Sequence, residues 1–354
     1  MRRILKIIAV LIIAAGTLEL ISTGLIYQYY SHEQKSFMPR GSATAKLLHM
    51  TWGKFRGRRP PLVLSINHGP LFAVDAELGF TTLPGRYRLR EFLDEQTHEF
   101  DLTVVAKGRR ASSYQPVNAS RRIFILGDSF AFGWGLDDEH TVPWLLQTRL
   151  PDFEIVNMAL NSYSAVQAML LLQRTTPALN SGDVVIFMYH PLTNELGAMK
   201  QGVLDDLADG MEIQLGSAGL KESKMPFGVL NPQGELEIRR VSIACGKVPS
   251  NADCARPTFD VDTAARVTER AFDTIMAMHQ GRLVIGWLSG RDEDPVIQYL
   301  SAHGAGIADL REKPGARCCD DEDIVPTDKH AGPFATEGIY QRLFSALQEL
   351  HVVP

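Results

Sequence analysis

The sequence predicts an α/β fold: a three-layer α/β/α domain around a parallel five-stranded sheet, preceded by an N-terminal transmembrane helix and a small β-rich module. Three observations carry this. From Arg121 onward, short apolar runs rich in β-branched residues alternate with amphipathic stretches, the rhythm of a parallel sheet covered by helices on both faces. Residues 62–118 instead hold short apolar runs broken by Gly69-Pro70 and Pro84-Gly85, the punctuation of turns between strands. Ahead of both, Arg2, Arg3 and Lys6 precede an almost uncharged run from Ile7 to Ile26. A chain of 354 residues holds one large domain and smaller pieces. The divisions fall at 1–30 for the span, 31–118 for linker and β-rich module, and 119–354 for the main domain, with an insertion at about 195–260.

Twenty helical residues at 1.5 Å each cover about 30 Å, the thickness of a bilayer core. Tyr27, Tyr29 and Tyr30 follow the run as an aromatic belt would. The basic flank stays cytoplasmic, which places the body of the protein outside. A cleaved signal peptide with Ile7–Ala15 as its apolar region is the alternative. The run continues past Ala15 with no small-x-small site to end it, which favours an uncleaved anchor. Both readings export the body, to a periplasmic or extracellular location. Glu19 falls in the outer half of the span, where it is protonated or meets a partner helix. Residues 31–60 are polar, with Arg56, Arg58 and Arg59 before Pro60-Pro61, and read as a linker.

In the main domain, Arg121–Leu126 is the first buried strand and runs straight into Gly127-Asp128-Ser129. Thr141-Val142-Pro143 opens a helix that Pro151 closes. Phe153–Val156 is a second strand, and Ser164-Ala165-Val166-Gln167 has the form of a capping box opening the next helix. Asp183–Tyr189 is a third strand. Within the insertion, Met211–Leu215 and Leu236–Val241 alternate as exposed strands do. A helix over 262–280, a strand over 282–288, a short helix near 295–300, a strand near 306–310 and a final helix with Ile339, Leu343, Leu347 and Leu350 on one face complete the domain. Cys245 and Cys254 close a short loop that suits a disulfide in an exported protein. Cys318 and Cys319 are adjacent, so a bridge between them is strained. No Cys-x-x-Cys pair supports zinc. The net charge of −5 comes without a basic stripe, which excludes nucleic acid as a partner.

The chemistry gathers on Ser129. A serine just past a buried strand sits at the sheet edge, where a nucleophilic hydroxyl meets substrate. Gly-Asp-Ser by composition occurs in roughly one chain in ten of this length, so the rest of the chain must decide. Thr327-Asp328-Lys329-His330 supplies a base and an orienting carboxylate: in an extended segment residues two apart point the same way. Sites in such sheets lie beyond the carboxyl ends of the strands, where Ser129 and the segment after Tyr189 both fall. Asp320, Asp321 and Asp323 read as a solvated acidic loop, Asp128 as a structural hydrogen-bonder, and His68, His140 and His190 as incidental.

On four blocks the chain resembles the SGNH/GDSL hydrolase family. They are Gly127-Asp128-Ser129-Phe130 with Phe132-Gly133-Trp134-Gly135; Val156–Gln167, with Ala159 and Ser162 where glycines are usual; Asn194-Glu195 after the third strand; and Asp328-Lys329-His330 before the last helix. The stretch from Asp75 to Lys107-Gly108-Arg109-Arg110 is similar, more loosely, to a leader seen before this domain in some exported members. The resemblance implies a flavodoxin-like sheet, Ser129 as nucleophile, His330 as base, Asp328 as its partner, and oxyanion donors from the Ser129 and Ser162 N–H groups and the Asn194 side chain. His190 and Asn161 are the alternatives to Asn194. It implies neither cofactor nor metal. An α/β-hydrolase also orders its triad Ser, Asp, His, but its serine follows several strands and its acid and base come from separate loops.

The expected function is a serine esterase acting through an acyl-enzyme on O-acyl esters, above all O-acetyl groups of envelope or extracellular polysaccharide. No long apolar lid of the kind a lipase wants is present in the sequence. An O-acetyltransferase using the same triad, and a degenerate carbohydrate-binding or assembly protein, stay open at this point.

Overall fold

The computed structural model describes residue 17 and residues 62–354, apart from 94–95, 116, 118, 176–179, 181, 248–253, 279–281, 313–322 and 328–329. The expected membrane span, the linker, Cys318, Cys319 and Asp328 lie outside the described residues. Among the described residues no helix is long and apolar enough to cross a membrane. The chain divides after Arg59, and its body begins at Pro60.

The leading strands of the body are β1 (Leu62–Ser65), β2 (Phe72–Asp75), β3 (Gly79–Thr82), β4 (Gly85–Leu93), β5 (Gln96–Val105) and β6 (Arg109–Arg110). The main domain supplies β7 (Arg121–Leu126), β8 (Phe153–Asn157), β9 (Val184–Tyr189), the hairpin β10 (Lys224–Leu230) and β11 (Leu236–Ser242), then β12 (Arg282–Trp287) and β13 (Gly306–Asp309). One nine-stranded sheet runs β1-β4-β5-β6-β8-β7-β9-β12-β13. Its five parallel strands follow the order second, first, third, fourth, fifth, which puts the point where the strand order reverses between β7 and β9. The strands β7 and β9 are the most deeply buried, with Ile123, Ile125, Val185, Ile186 and Phe187 fully enclosed.

Two expectations differ from what is observed. The leading strands do not form a module packed against the domain: β1, β4, β5 and β6 continue the same sheet, antiparallel, with Arg110 paired to Asn157 on β8. Otherwise β8 would be an open edge, a liability that proteins cover, and strand patterns alone do not show which edge a strand joins. Second, Met211–Leu215 lies in a helix. Leu204, Leu207, Ala208 and Met211 are buried there at the i, i+3, i+4, i+7 spacing of a helical stripe, a longer period that the local alternation masks.

The helices are α1 (Ser129–Phe132), α2 (Val142–Arg149), α3 (Ala165–Thr175), α4 (Leu192–Gly197), α5 (Gln201–Glu222), α6 (Val261–Met278), α7 (Pro295–Ala302) and α8 (Pro333–Glu349). Their starts follow local chemistry. Thr141 Oγ1 accepts the Trp144 N–H at the head of α2. Ser164 Oγ accepts the Val166 N–H while Gln167 Oε1 accepts the Ser164 N–H, the reciprocal capping box expected ahead of α3. Gln214 on α5 accepts the Leu71 N–H and donates to the Val63 carbonyl, each at 3.0 Å, tying the insertion to the leading strands. Cys245 and Cys254 are joined in a disulfide.

Candidate active site

The strand β7 ends in a turn that only glycine tolerates. Gly127 has φ +136°, and a Cβ there would lie 2.9 Å from Ala131 Cβ and 3.0 Å from the Met188 carbonyl. Asp128 then caps the single turn of α1 by accepting the Phe130 N–H at 3.1 Å. Ser129 heads that turn, so the helical ladder makes no use of its own N–H. Gly133, at φ +82°, ends α1 and sits against the Thr141 side chain.

His330 arrives from the segment before α8. The Val325 N–H donates to the His330 carbonyl and the Gly332 N–H to the Asp323 carbonyl, both at 2.8 Å, so that backbone pairing with 323–325 holds the residue that bears the imidazole. His330 Nε2 lies 2.6 Å from Ser129 Oγ, across 201 residues of sequence. In the geometry of a general base the Ser129 hydroxyl donates to that nitrogen. The Phe130 ring flanks the pair, 4.8 Å from the His330 ring and 5.2 Å from that of His190. An apolar pocket opens beside Ser129 and His330, walled by Trp134, Leu136, Val142, Met188, Leu288 and Ile339. Asp328 lies outside the described residues.

Ser162, expected as an oxyanion donor, holds φ +59°, the left-handed conformation a glycine would adopt freely. The loop keeps its shape around it: the Leu160 N–H reaches the Gly127 carbonyl at 3.2 Å and the Tyr163 N–H reaches the Leu160 carbonyl at 3.0 Å. The side chain is therefore carried at a backbone conformation that costs strain. Ser162→Gly should raise stability by about 1 kcal/mol, read as an increase in the urea midpoint at unchanged slope. Asn194 is hydrogen-bonded to Tyr189. Its amide donates to the Tyr189 hydroxyl at 3.0 Å, and that hydroxyl is also within 3.2 Å of Asp294. The local reason is that 192–197 is a helix, α4, which turns Asn194 toward the buried Tyr189. Asn161, weighed as an alternative, keeps a buried side-chain oxygen that meets no hydrogen-bond donor among the described residues.

His190 is not incidental. Buried at the end of β9, its Nε2 lies 2.5 Å from Asp128 Oδ2. Burial works against the charge on Asp128, but the attraction and hydrogen bond of His190, the Phe130 N–H and the attraction of His330 together hold its carboxyl below the ordinary value of 3.8. A carboxyl depressed in the folded state contributes stability that is present above the ordinary range and lost as the pH falls through the folded value. Asp128→Asn, which keeps the cap and removes the charge, should therefore flatten the loss of urea resistance between about pH 5 and pH 3.

Arg110 is the second residue whose role the sequence hid. Fully buried on β6, it donates to Asp138 Oδ1 at 3.0 Å and to the carbonyls of Gly133, Leu136 and Phe132 at 2.5, 2.6 and 3.3 Å. Those carbonyls belong to the loop that follows Ser129 and walls the pocket. Burial pushes the guanidinium down from its ordinary value, and Asp138 opposes that shift.

No family model matches this chain, and no curated protein does. Among solved structures it is similar to a member of the lipolytic protein G-D-S-L family from Veillonella parvula, at 9% identity over 65% of this chain and 99% of that one, with a TM-score of 0.38. It is also similar to the psychrotrophic esterase EstA from Pseudoalteromonas sp., at 12% identity over 65% and 98% of the two chains, TM-score 0.35. A third is a catalytic mutant of an acetylxylan esterase from Geobacillus stearothermophilus, at 8% identity over 66% and 96%, TM-score 0.32.

Proposed function

We propose that the chain is a serine esterase of the SGNH type that removes O-acyl groups, in particular O-acetyl groups of envelope or extracellular polysaccharide. The observation that carries this is Ser129 Oγ at 2.6 Å from His330 Nε2, at the carboxyl end of the parallel strands. In this mechanism Ser129 Oγ attacks the ester carbonyl while His330 takes its proton. The imidazolium, oriented by Asp328, returns the proton to the departing sugar hydroxyl. Water then repeats the sequence on the acyl-enzyme and restores Ser129. The N–H groups of Ser129 and Ser162 receive the oxyanion.

In this proposal the enzyme works outside the cytoplasm, held by the span Ile7–Ile26. Support comes from the basic flank of that run and from the Cys245–Cys254 disulfide, a bond typical of oxidising compartments. Detergent-purified full-length protein should release free acetate from an acetylated polysaccharide and hydrolyse a short-chain aryl ester. Absence of both activities would refute the esterase. Acetyl passed to a sugar hydroxyl with no free acetate would identify a transferase instead.

A further inference from the structure

Glu91 lies on β4, in the appended part of the sheet, and is fully buried. Its carboxylate accepts from the indole N–H of Trp134 through one oxygen and from the Thr327 hydroxyl, at 2.6 Å, through the other. Trp134 in turn donates its backbone N–H to the Ser129 carbonyl at 2.9 Å. Thr327, also fully buried, stands three residues before His330. A closed circuit results: Ser129, Trp134, Glu91, Thr327, His330 three residues on in sequence, and back to Ser129 through the 2.6 Å contact of Oγ with Nε2. Nucleophile and base come from segments about two hundred residues apart in sequence, and neither segment is anchored by the other's strand. The carboxylate touches both, beside the direct contacts of Phe130 with His330 and of Gly135 with Val325.

We infer that Glu91 is a positioning residue that fixes the distance between Ser129 and His330, so that the appended strands are part of the catalytic apparatus. This rests on the esterase proposal. Its physical basis is that a hydroxyl–imidazole pair works only within hydrogen-bonding reach, and loss of about 1 Å in alignment costs on the order of a hundredfold in rate. Two buried hydrogen bonds to one strand of the sheet resist that drift. The neighbouring His98 on β5 adds a third hold, with its Nε2 at 2.6 Å from the Gly135 carbonyl.

The test uses full-length protein and two variants at the base side of the circuit. Thr327→Val removes the hydroxyl at nearly constant volume; Thr327→Ser keeps it. Thr327→Val should lower kcat at least tenfold with KM within about twofold, because alignment and not binding is lost. Thr327→Ser should recover kcat to within about fivefold of the parent. Backbone hydrogen exchange followed by mass spectrometry should show faster exchange in both 133–137 and 324–332 for Thr327→Val, and parent-like exchange for Thr327→Ser. Unchanged kcat in Thr327→Val overturns the inference, as does faster exchange confined to 324–332. If the parent protein hydrolyses no ester, the esterase proposal fails by itself. The coupled exchange of the two segments then still decides whether Glu91 links them.

Discussion

Ser129→Ala is expected to lower ester hydrolysis by about three orders of magnitude or more, with the thermal melt and far-UV spectrum unchanged. The side chain heads a single helical turn whose cap is supplied by Asp128 and not by Ser129 itself, so removing Oγ leaves the turn's own hydrogen bonds in place. The Phe132, Gly133 and Trp134 N–H groups still find the Asp128 and Ser129 carbonyls. In the proposed mechanism, what is lost is the atom that forms the acyl-enzyme. Initial rates on a short-chain aryl ester, measured beside the melt, separate this outcome from general damage. A variant retaining a tenth or more of the parent rate would mean that Ser129 does not attack.

The second large effect falls on stability. Arg110→Met should cost about 3–5 kcal/mol, because it leaves the buried Asp138 without its cation and removes one donor from each of three loop carbonyls. The Arg110–Asp138 pair is almost wholly enclosed, at 0% and 1% side-chain exposure, and the carboxylate also receives the Thr103 N–H at 3.2 Å. Arg110→Lys should recover only part of the loss, since an ammonium cannot reproduce the planar fork that reaches Gly133 and Leu136 together. Urea unfolding at neutral pH reads both changes. A loss below 1 kcal/mol for Arg110→Met would show that the pair is dispensable. Activity should fall with stability, because the same carbonyls shape the loop from Phe132 to Leu136 beside Ser129.

The parallel half of the sheet is legible because each of its strands is a short, uninterrupted apolar run, and burial on both faces writes itself into composition. The turn at Gly127-Asp128-Ser129 and the capping box at Ser164 are legible for a related reason: both are built from residues adjacent in sequence. Long-range pairing leaves no such mark. Nothing local in Arg109-Arg110 separates a buried arginine that grips a loop from a solvated basic pair, and nothing in Leu89-Arg90-Glu91 says that Glu91 faces inward. The strand β4 carries Arg88 and Arg90 outward to Glu99, and alternation then turns Leu89 and Glu91 to the buried side. That alternation is the available signal, once the polar residue is counted as an inward one. The role of His190 is hidden because its partner, Asp128, lies 62 residues away. The place of Asn194 after the third strand suggests an oxyanion donor, but the helix α4 that starts at Leu192 redirects it to Tyr189.

Ser129 and His330 acting as nucleophile and base is the central claim, and covalent trapping tests it most directly. Full-length protein treated with a fluorophosphonate should gain one adduct, and peptide mapping should place it on Ser129. The same treatment of His330→Ala should give an adduct at least a hundredfold more slowly, since nothing then takes the proton. An adduct on another residue, no adduct at all, or equal labelling of His330→Ala would contradict the account.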